Sequence, residues 1–115
     1  MITLRQRFSR MSDIVIRPAV AADCPAMFEL VQDLAAFEDG LDQVVNTPAQ
    51  FTQDFTDGLF GALLAEANGQ VVGMGLYYWR YSTWNGKILY LEDLMVQQQW
   101  QGQGIGKQLM AELRQ

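Results

Sequence analysis

The chain has 115 residues, 50% hydrophobic and 11% aromatic, which suffices for the core of one domain and no more. It holds no histidine and a single cysteine, Cys24, so Ser-His-Asp and Cys-His catalysis, histidine metal sites and an internal disulfide are excluded, and a reducing cytoplasm fits. The formal net charge is −5, and because Arg5, Arg7 and Arg10 are three of the eight basic residues, residues 11–115 hold five basic and thirteen acidic ones, a net of −8 that disfavours nucleic acid and favours cationic partners.

Residues 1–12 (MITLRQRFSRMS) show no period and are expected to form a disordered extension, with Met11 as an alternative start and one domain over 13–115. They lack the apolar stretch of a signal peptide. Asp13 to Arg17 is a short β-branched strand closed by Pro18, which cannot continue a ladder. A helix follows Asp23-Cys24-Pro25, with Met27, Leu30, Val31, Leu34 and Phe37 on its apolar face and Asp39-Gly40 as its stop. Thr47-Pro48-Ala49-Gln50 has the form of a capping box and opens a second helix, with Phe51, Phe55 and Leu59 inward.

The period then changes from helical to alternating. Ala62 to Ala67, the turn Asn68-Gly69, and Gln70 to Trp79 form the strongest short-range hairpin signal that sequence offers. The longest apolar run, Val71 to Trp79, is strand-length, far short of the roughly 20 residues of a membrane span. Arg80 to Gly86 is a second connection and Lys87 to Val96 a fourth strand. Gln97 to Gln99 leads into Gln101-Gly102-Gln103-Gly104-Ile105-Gly106, after which Ile105, Leu109 and Leu113 line one face of a third helix. The order is β-α-α-β-β-β-α, a mixed α/β fold with an antiparallel centre.

The glycines at 102, 104 and 106 lie between a strand and a helix, where backbone N–H groups and a helix N-terminus suit a phosphate. Taken alone this is a weak signal, equally compatible with a tight turn. Gly106-Lys107-Gln108 lacks the hydroxyl of a Walker A loop, and no βαβ unit with a ribose-binding acid follows. Glu92 and Asp93 lie inside the apolar run Tyr90-Leu91 to Leu94-Met95-Val96, so at least one acid is expected to face a cleft rather than solvent. Cys24 is expected to be inert.

These residues carry a resemblance. Gln101-x-x-Gly104-x-Gly106 resembles the (Arg/Gln)-x-x-Gly-x-(Gly/Ala) motif of the GNAT superfamily of N-acetyltransferases. Gly86-Lys87-Ile88-Leu89-Tyr90-Leu91-Glu92-Asp93 is similar to the run found in its diamine (spermidine/spermine) branch. Ile16-Arg17-Pro18-Ala19, Ala21-Ala22-Asp23-Cys24, Leu34-Ala35-x-Phe37-Glu38 and Tyr77-Tyr78 before Trp84 extend the likeness from Ile14 to Leu113.

The resemblance implies acetyl transfer from acetyl-coenzyme A to a small primary amine: a diamine, polyamine or lysine-like compound. It makes Glu92 the catalytic base and gives substrate contacts to Phe37, Glu38, Trp84, Glu92 and Asp93. It gives coenzyme contacts to Leu94, Met95 and Val96, and to Gln101, Gly102, Gln103, Gly104, Ile105, Gly106 and Lys107; no metal takes part. Phe37 stands where the family often has tyrosine. The resemblance also implies later strands, a fourth helix and a general-acid tyrosine beyond Gln115. Tyr77, Tyr78, Tyr81 and Tyr90 do not take that role, so the domain reads as incomplete at its C-terminal end. The fourth strand is then an apolar edge, with Met74, Leu76, Tyr78, Leu89, Leu91 and Met95 short of cover, and a homodimer is expected. Two alternatives stand beside the enzyme reading: an inactive half-domain, and an enzyme for another acceptor such as an amino acid or a protein N-terminus. No nucleic-acid or membrane partner is expected, and the location is expected to be cytoplasmic.

Overall fold

The computed structural model describes residues 14–114; the expected disorder of residues 1–12 and the strand position of Asp13 lie outside them. Four strands form one antiparallel sheet in the order β1 (Ile14–Pro18), β2 (Gly61–Ala67), β3 (Gln70–Ser82) and β4 (Gly86–Val96). Helices α1 (Cys24–Phe37) and α2 (Pro48–Thr56) join β1 to β2, and α3 (Ile105–Leu113) follows β4. The order β-α-α-β-β-β-α is the one expected from the sequence.

Alternation along the strands builds two cores. Ala62, Leu64, Met74, Leu76 and Met95 face α1 and α2, where they meet Met27, Phe28, Leu30 and Phe51. Ala65, Ala67 and Val72 face the other way and pack with Ile105 and Leu109 of α3 and with Trp100. Each fully buried Leu, Met or Phe contributes about 1.5–3 kcal/mol relative to exposure. Gly73 and Gly75 give α3 its close seat on the sheet: a Cβ at Gly73 would lie 3.2 Å from Met95 O and 3.3 Å from Ile105 Cγ2. Met74, Leu76 and Met95, expected to lack cover, are buried under α1 and α2, while Tyr78, Leu89 and Leu91 are half-buried.

Charge fixes the lead into α1. Arg17 on β1 makes a two-point contact with Asp23, 2.8 Å at each nitrogen, and its Nε donates to Glu66 of β2 at 2.7 Å. The Arg17 hydrogen bond holds the Asp23 carboxyl below the usual carboxylate range. Asp23 also accepts from Val20 N at 2.8 Å. These bonds explain why Arg17 and Asp23 belong to one local unit with the helix start at Cys24. Cys24 itself is buried, and burial pushes its thiol up, so it stays protonated and unreactive.

Four local expectations need correction. Pro18 ends β1 as its last paired residue, opposite Leu63, rather than lying beyond it. The stop at Asp39-Gly40 itself holds, Asp39 taking the left-handed position with φ 57° and Gly40 N donating to Ala35 O at 2.7 Å. Phe37 is 82% exposed, because it sits in the last turn where α1 leaves the sheet. The Thr47 cap forms, accepting from Gln50 N at 3.1 Å, but the Gln50 side chain bonds Asp54 instead of closing the box, and Leu59 lies past the end of α2, exposed. The second connection is only Thr83–Asn85: Arg80, Tyr81 and Ser82 stay in β3 opposite Ile88, Lys87 and Gly86. Arg80 over the Tyr90 ring and Lys87 over the Trp79 ring favour that extension, and Ser82 Oγ accepts from Trp84 N and Asn85 N to close the turn.

Candidate functional site

The candidate site lies on the α1/α2 side of the sheet and is organised by β4. Its register against β3 slips between Leu76 and Tyr77: Leu76 opposes Asp93 while Tyr77 opposes Leu91, so Glu92 is the extra residue of a bulge. In a regular strand consecutive side chains point to opposite faces. The bulge lets both Glu92 and Asp93 line one cavity of about 410 Å³. Phe28 of α1, Phe51 of α2, and Phe60 and Tyr78 wall it, and Asp54 of α2 reaches it as well. Phe28 meets Phe51 edge-to-face and Phe51 meets Phe60 at a tilt, with centroids 5.4 Å and 4.8 Å apart. Burial, then Glu92, then Glu38 push the Asp93 carboxyl up from its ordinary value.

A second groove of about 590 Å³ is lined by the residues that follow Asp93 on β4. Leu94, Met95 and Val96 of β4, Leu30, Asp33, Leu34 and Phe37 of α1, and Gln97 to Gln99 with Gln101 line it. Gln97 N donates to Val72 O at 2.8 Å, making those residues a hydrogen-bonded pair of the β3–β4 ladder. Bonded and non-bonded pairs alternate in an antiparallel ladder. The pairs Gly73–Val96 and Gly75–Leu94 are then non-bonded, so the peptide groups of Leu94 and Val96 point away from β3 to the outer edge. Gln101 Nε2 donates to Val96 O at 3.0 Å, as that orientation requires. Met95, by contrast, turns its peptide groups toward β3 and contributes a buried side chain.

The loop after β4 has the shape a phosphate needs. Gly102 and Gly104 both have φ 81°, and a Cβ on either would meet no protein atom within 4 Å. Gly104 is the N-cap of α3 and offers no side chain, and Gln108 N donates to Gly104 O as the first turn closes. The N–H groups of Ile105, Gly106 and Lys107 therefore precede any intrahelical partner. Ile105 is buried and offers only its backbone, and Lys107 is exposed beside the helix start. Open space over a left-handed glycine loop, beside free N–H groups, fits a pyrophosphate.

Not every expected residue joins the site. Glu38 ends α1 close enough to act on Asp93, whereas Phe37 lines the second groove rather than the first cavity. Trp84 is 93% exposed at the tip of the β3–β4 arm. The ladder from Leu76–Asp93 to Ser82–Gly86 places it roughly 20 Å from Asp93 at ~3.3 Å per residue. The sequence reading missed Asp54, Phe28, Phe51 and Phe60 as cavity walls. Along their helices Phe28 and Phe51 read as core and Asp54 as solvated, and Phe60 lies between α2 and β2; the packing of α2 on the sheet brings them round the acids. Among the described residues, no group of three His, Cys, Asp or Glu side chains could hold a metal, and no helix is long and apolar enough to cross a membrane.

Comparison with known proteins bears on this geometry. Residues 25–115 match the profile of the Acetyltransferase (GNAT) family. The chain is 42% identical over 118 residues to the Homo sapiens spermidine/spermine N(1)-acetyltransferase-like protein 1, covering 95% of this chain and 17% of that protein. It is 37% identical over 110 residues to the thialysine N-epsilon-acetyltransferase of Sus scrofa, covering 87% of this chain and 65% of that protein. It thus spans less than two thirds of either relative. A solved aminoglycoside acetyltransferase, meta-AAC0020 from an uncultured soil metagenomic sample in complex with sisomicin, matches with a TM-score of 0.76 over 90% of this chain and 68% of that one. At 21% identity this likeness speaks for the fold alone.

Proposed function

The chain belongs to the GNAT family of acetyltransferases, and from that premise we propose that it transfers an acetyl group from acetyl-coenzyme A to a small cationic primary amine, a diamine, polyamine or lysine-like compound. The observation that carries the proposal is the junction on β4. Asp93 lines the acid-bearing aromatic cavity and the next residue, Leu94, lines the groove with its peptide N–H on the open edge. An acceptor in the first and a donor in the second meet between consecutive residues.

When bound, acetyl-coenzyme A supplies an acetyl thioester that needs no covalent enzyme intermediate. The chain's part is to position, deprotonate and stabilise. The loop Gln101 to Lys107 would hold the pyrophosphate on backbone N–H groups and the start of α3. The edge peptides of Leu94 and Val96 would hold the donor's arm, and Leu94 N–H would be the donor available to the thioester oxygen. A donor so placed is typically worth ~2.7–4 kcal/mol in the transition state. The acceptor enters as an ammonium, since a primary amine has a pKa near that of lysine, about 10.4. Glu38 and Asp93 attract it, and Glu92 takes its proton directly or through one water.

The proposal extends to a homodimer, supported by the exposed apolar side chains of the β3–β4 arm, Trp79, Tyr81 and Ile88. It also extends to a cytoplasmic location, supported by the single buried thiol. An acceptor screen tests the chemistry. Cationic amines such as 1,4-diaminobutane and lysine are expected to be acetylated at least about tenfold faster than glutamate, a gap of ~1.4 kcal/mol. Glu92→Gln is expected to shift the pH–rate profile for 1,4-diaminobutane to the alkaline side. A preference for acidic acceptors overturns the proposal.

A further inference from the structure

The acceptor cavity carries acids on two separate elements. Glu92 and Asp93 come from the sheet, and Asp54 comes from α2, across the aromatic cluster. Among the described residues no lysine or arginine lines the cavity, so its negative charge has no internal counter-ion. Asp54 Oδ1 accepts from Gln50 Nε2 at 2.8 Å, which orients the carboxylate without neutralising it. The tilted ring pair of Phe51 and Phe60, 4.8 Å between centroids, packs α2 against the residue that leads into β2. A volume of about 410 Å³ lies within the range of small-ligand pockets. Apolar walls with acids contributed from two elements complement a molecule with a methylene chain between two cations.

We propose that Asp54 is a specificity-determining residue: its carboxylate holds a second ammonium group of the acceptor while the first lies at Glu92 and Asp93, so that α,ω-diamines are selected over monoamines of equal length. The proposal deepens the acceptor reading above and rests on it. Glu92 and Asp93 serve the reacting nitrogen in any amine. Asp54 serves only an amine with a second positive charge at the far end, and that separates its role from theirs. Because the Gln50 bond survives in Asp54→Asn, the substitution removes the charge and keeps the helix surface.

The test compares 1,4-diaminobutane with n-butylamine on the full chain and on Asp54→Asn and Asp54→Glu, by steady-state kinetics and by calorimetric binding. Asp54→Asn is expected to raise KM and the dissociation constant for 1,4-diaminobutane about tenfold, the effect of losing a charged hydrogen bond. It should leave n-butylamine within about twofold, because no second cation is lost. Asp54→Glu is expected to restore selectivity for diamines and to move the optimum toward 1,3-diaminopropane, since its carboxylate reaches further into the cavity. Equal weakening of both amines, or of neither, overturns the role of Asp54 while the acetyltransferase reading stands. Selective diamine binding that Asp54→Asn abolishes, with no acetylation of any amine, sustains Asp54 and overturns the acetyltransferase reading. Failure of the unmodified chain to bind the diamine more tightly than the monoamine overturns the proposal directly.

Discussion

Gly104→Ala separates backbone strain from ligand contact, because the fold contains a matched control. Gly104 and Gly69 have nearly the same left-handed φ, 81° and 80°, and a Cβ on either would meet no protein atom within 4 Å. Gly69 lies in the β2–β3 turn with Asn68, far in sequence from the loop that opens α3. Forcing an L-residue into this region costs roughly 1–2 kcal/mol. Reduced freedom of the unfolded chain returns about 0.4–1 kcal/mol. Both variants are therefore expected to lose on the order of 1 kcal/mol, or ~4–8 °C in melting temperature for a domain of this size. Only at Gly104 does the added methyl enter the open space beside the loop that caps α3, where the coenzyme phosphates are proposed to lie. Gly104→Ala is expected to weaken coenzyme A binding at least about tenfold, ~1.4 kcal/mol, while Gly69→Ala leaves it unchanged. Thermal melts followed by isothermal titration calorimetry read both quantities on the same samples. Equal coenzyme affinity in the two variants would refute the phosphate-loop reasoning.

Packing beneath α3 gives a second contrast. Gly73→Ala places its Cβ 3.2 Å from the Met95 carbonyl oxygen and 3.3 Å from Ile105, where nothing flexible can yield, and is expected to cost ~1–3 kcal/mol. Gly75→Ala meets mainly the end of Leu113, which can turn away, and is expected to stay within ~0.5 kcal/mol; denaturant titration orders the two. Asp93 has a raised carboxyl pKa, so the fold favours its protonated form: that stability is complete below the ordinary carboxylate value near pH 4 and is lost as pH rises through the raised one. Asp93→Asn is accordingly expected to melt above the parent at about pH 7, with the gap closing near pH 3, while the acceptor KM rises. Arg17→Ala should melt lower at neutral pH than the parent, and the gap should narrow in acid, because the depressed Asp23 carboxyl gives stability that is lost as pH falls through its folded value.

Local chemistry made much of this protein legible in its sequence. Asn68-Gly69 takes φ 53° and 80°, the paired positive angles of the tightest hairpin turn, so the residues that specify the turn are the residues that form it. The glycines at 102 and 104 are legible for the same reason, and the Arg17 and Asp23 positions prove to be one hydrogen-bonded unit. What stayed hidden depends on contacts distant in sequence. The β3–β4 arm runs on through Tyr81 because Arg80 and Lys87 each lie on a ring across the pair, a cross-strand fact invisible along either strand. Glu92 and Asp93 share one cavity because of a bulge, which shows itself only in the register. Asp54 reads along its helix as a solvated residue beside Gln50, and becomes a cavity wall only when Phe51 docks α2 against Phe28 and Phe60. Trp84 shows the converse: a motif neighbour in sequence, it sits at the tip of the arm, away from the acids of its own chain.

The central claim is amine-dependent acetyl transfer, and the most direct measurement mixes the full-length protein with acetyl-coenzyme A and 1,4-diaminobutane and follows free thiol and acetylated amine together. The account predicts thiol release that requires the amine, matches the acetamide formed mole for mole, and falls sharply with Gly104→Ala and with Glu92→Gln. Thiol release no faster than in the amine-free control, from a chain that calorimetry shows to bind coenzyme A, would contradict it.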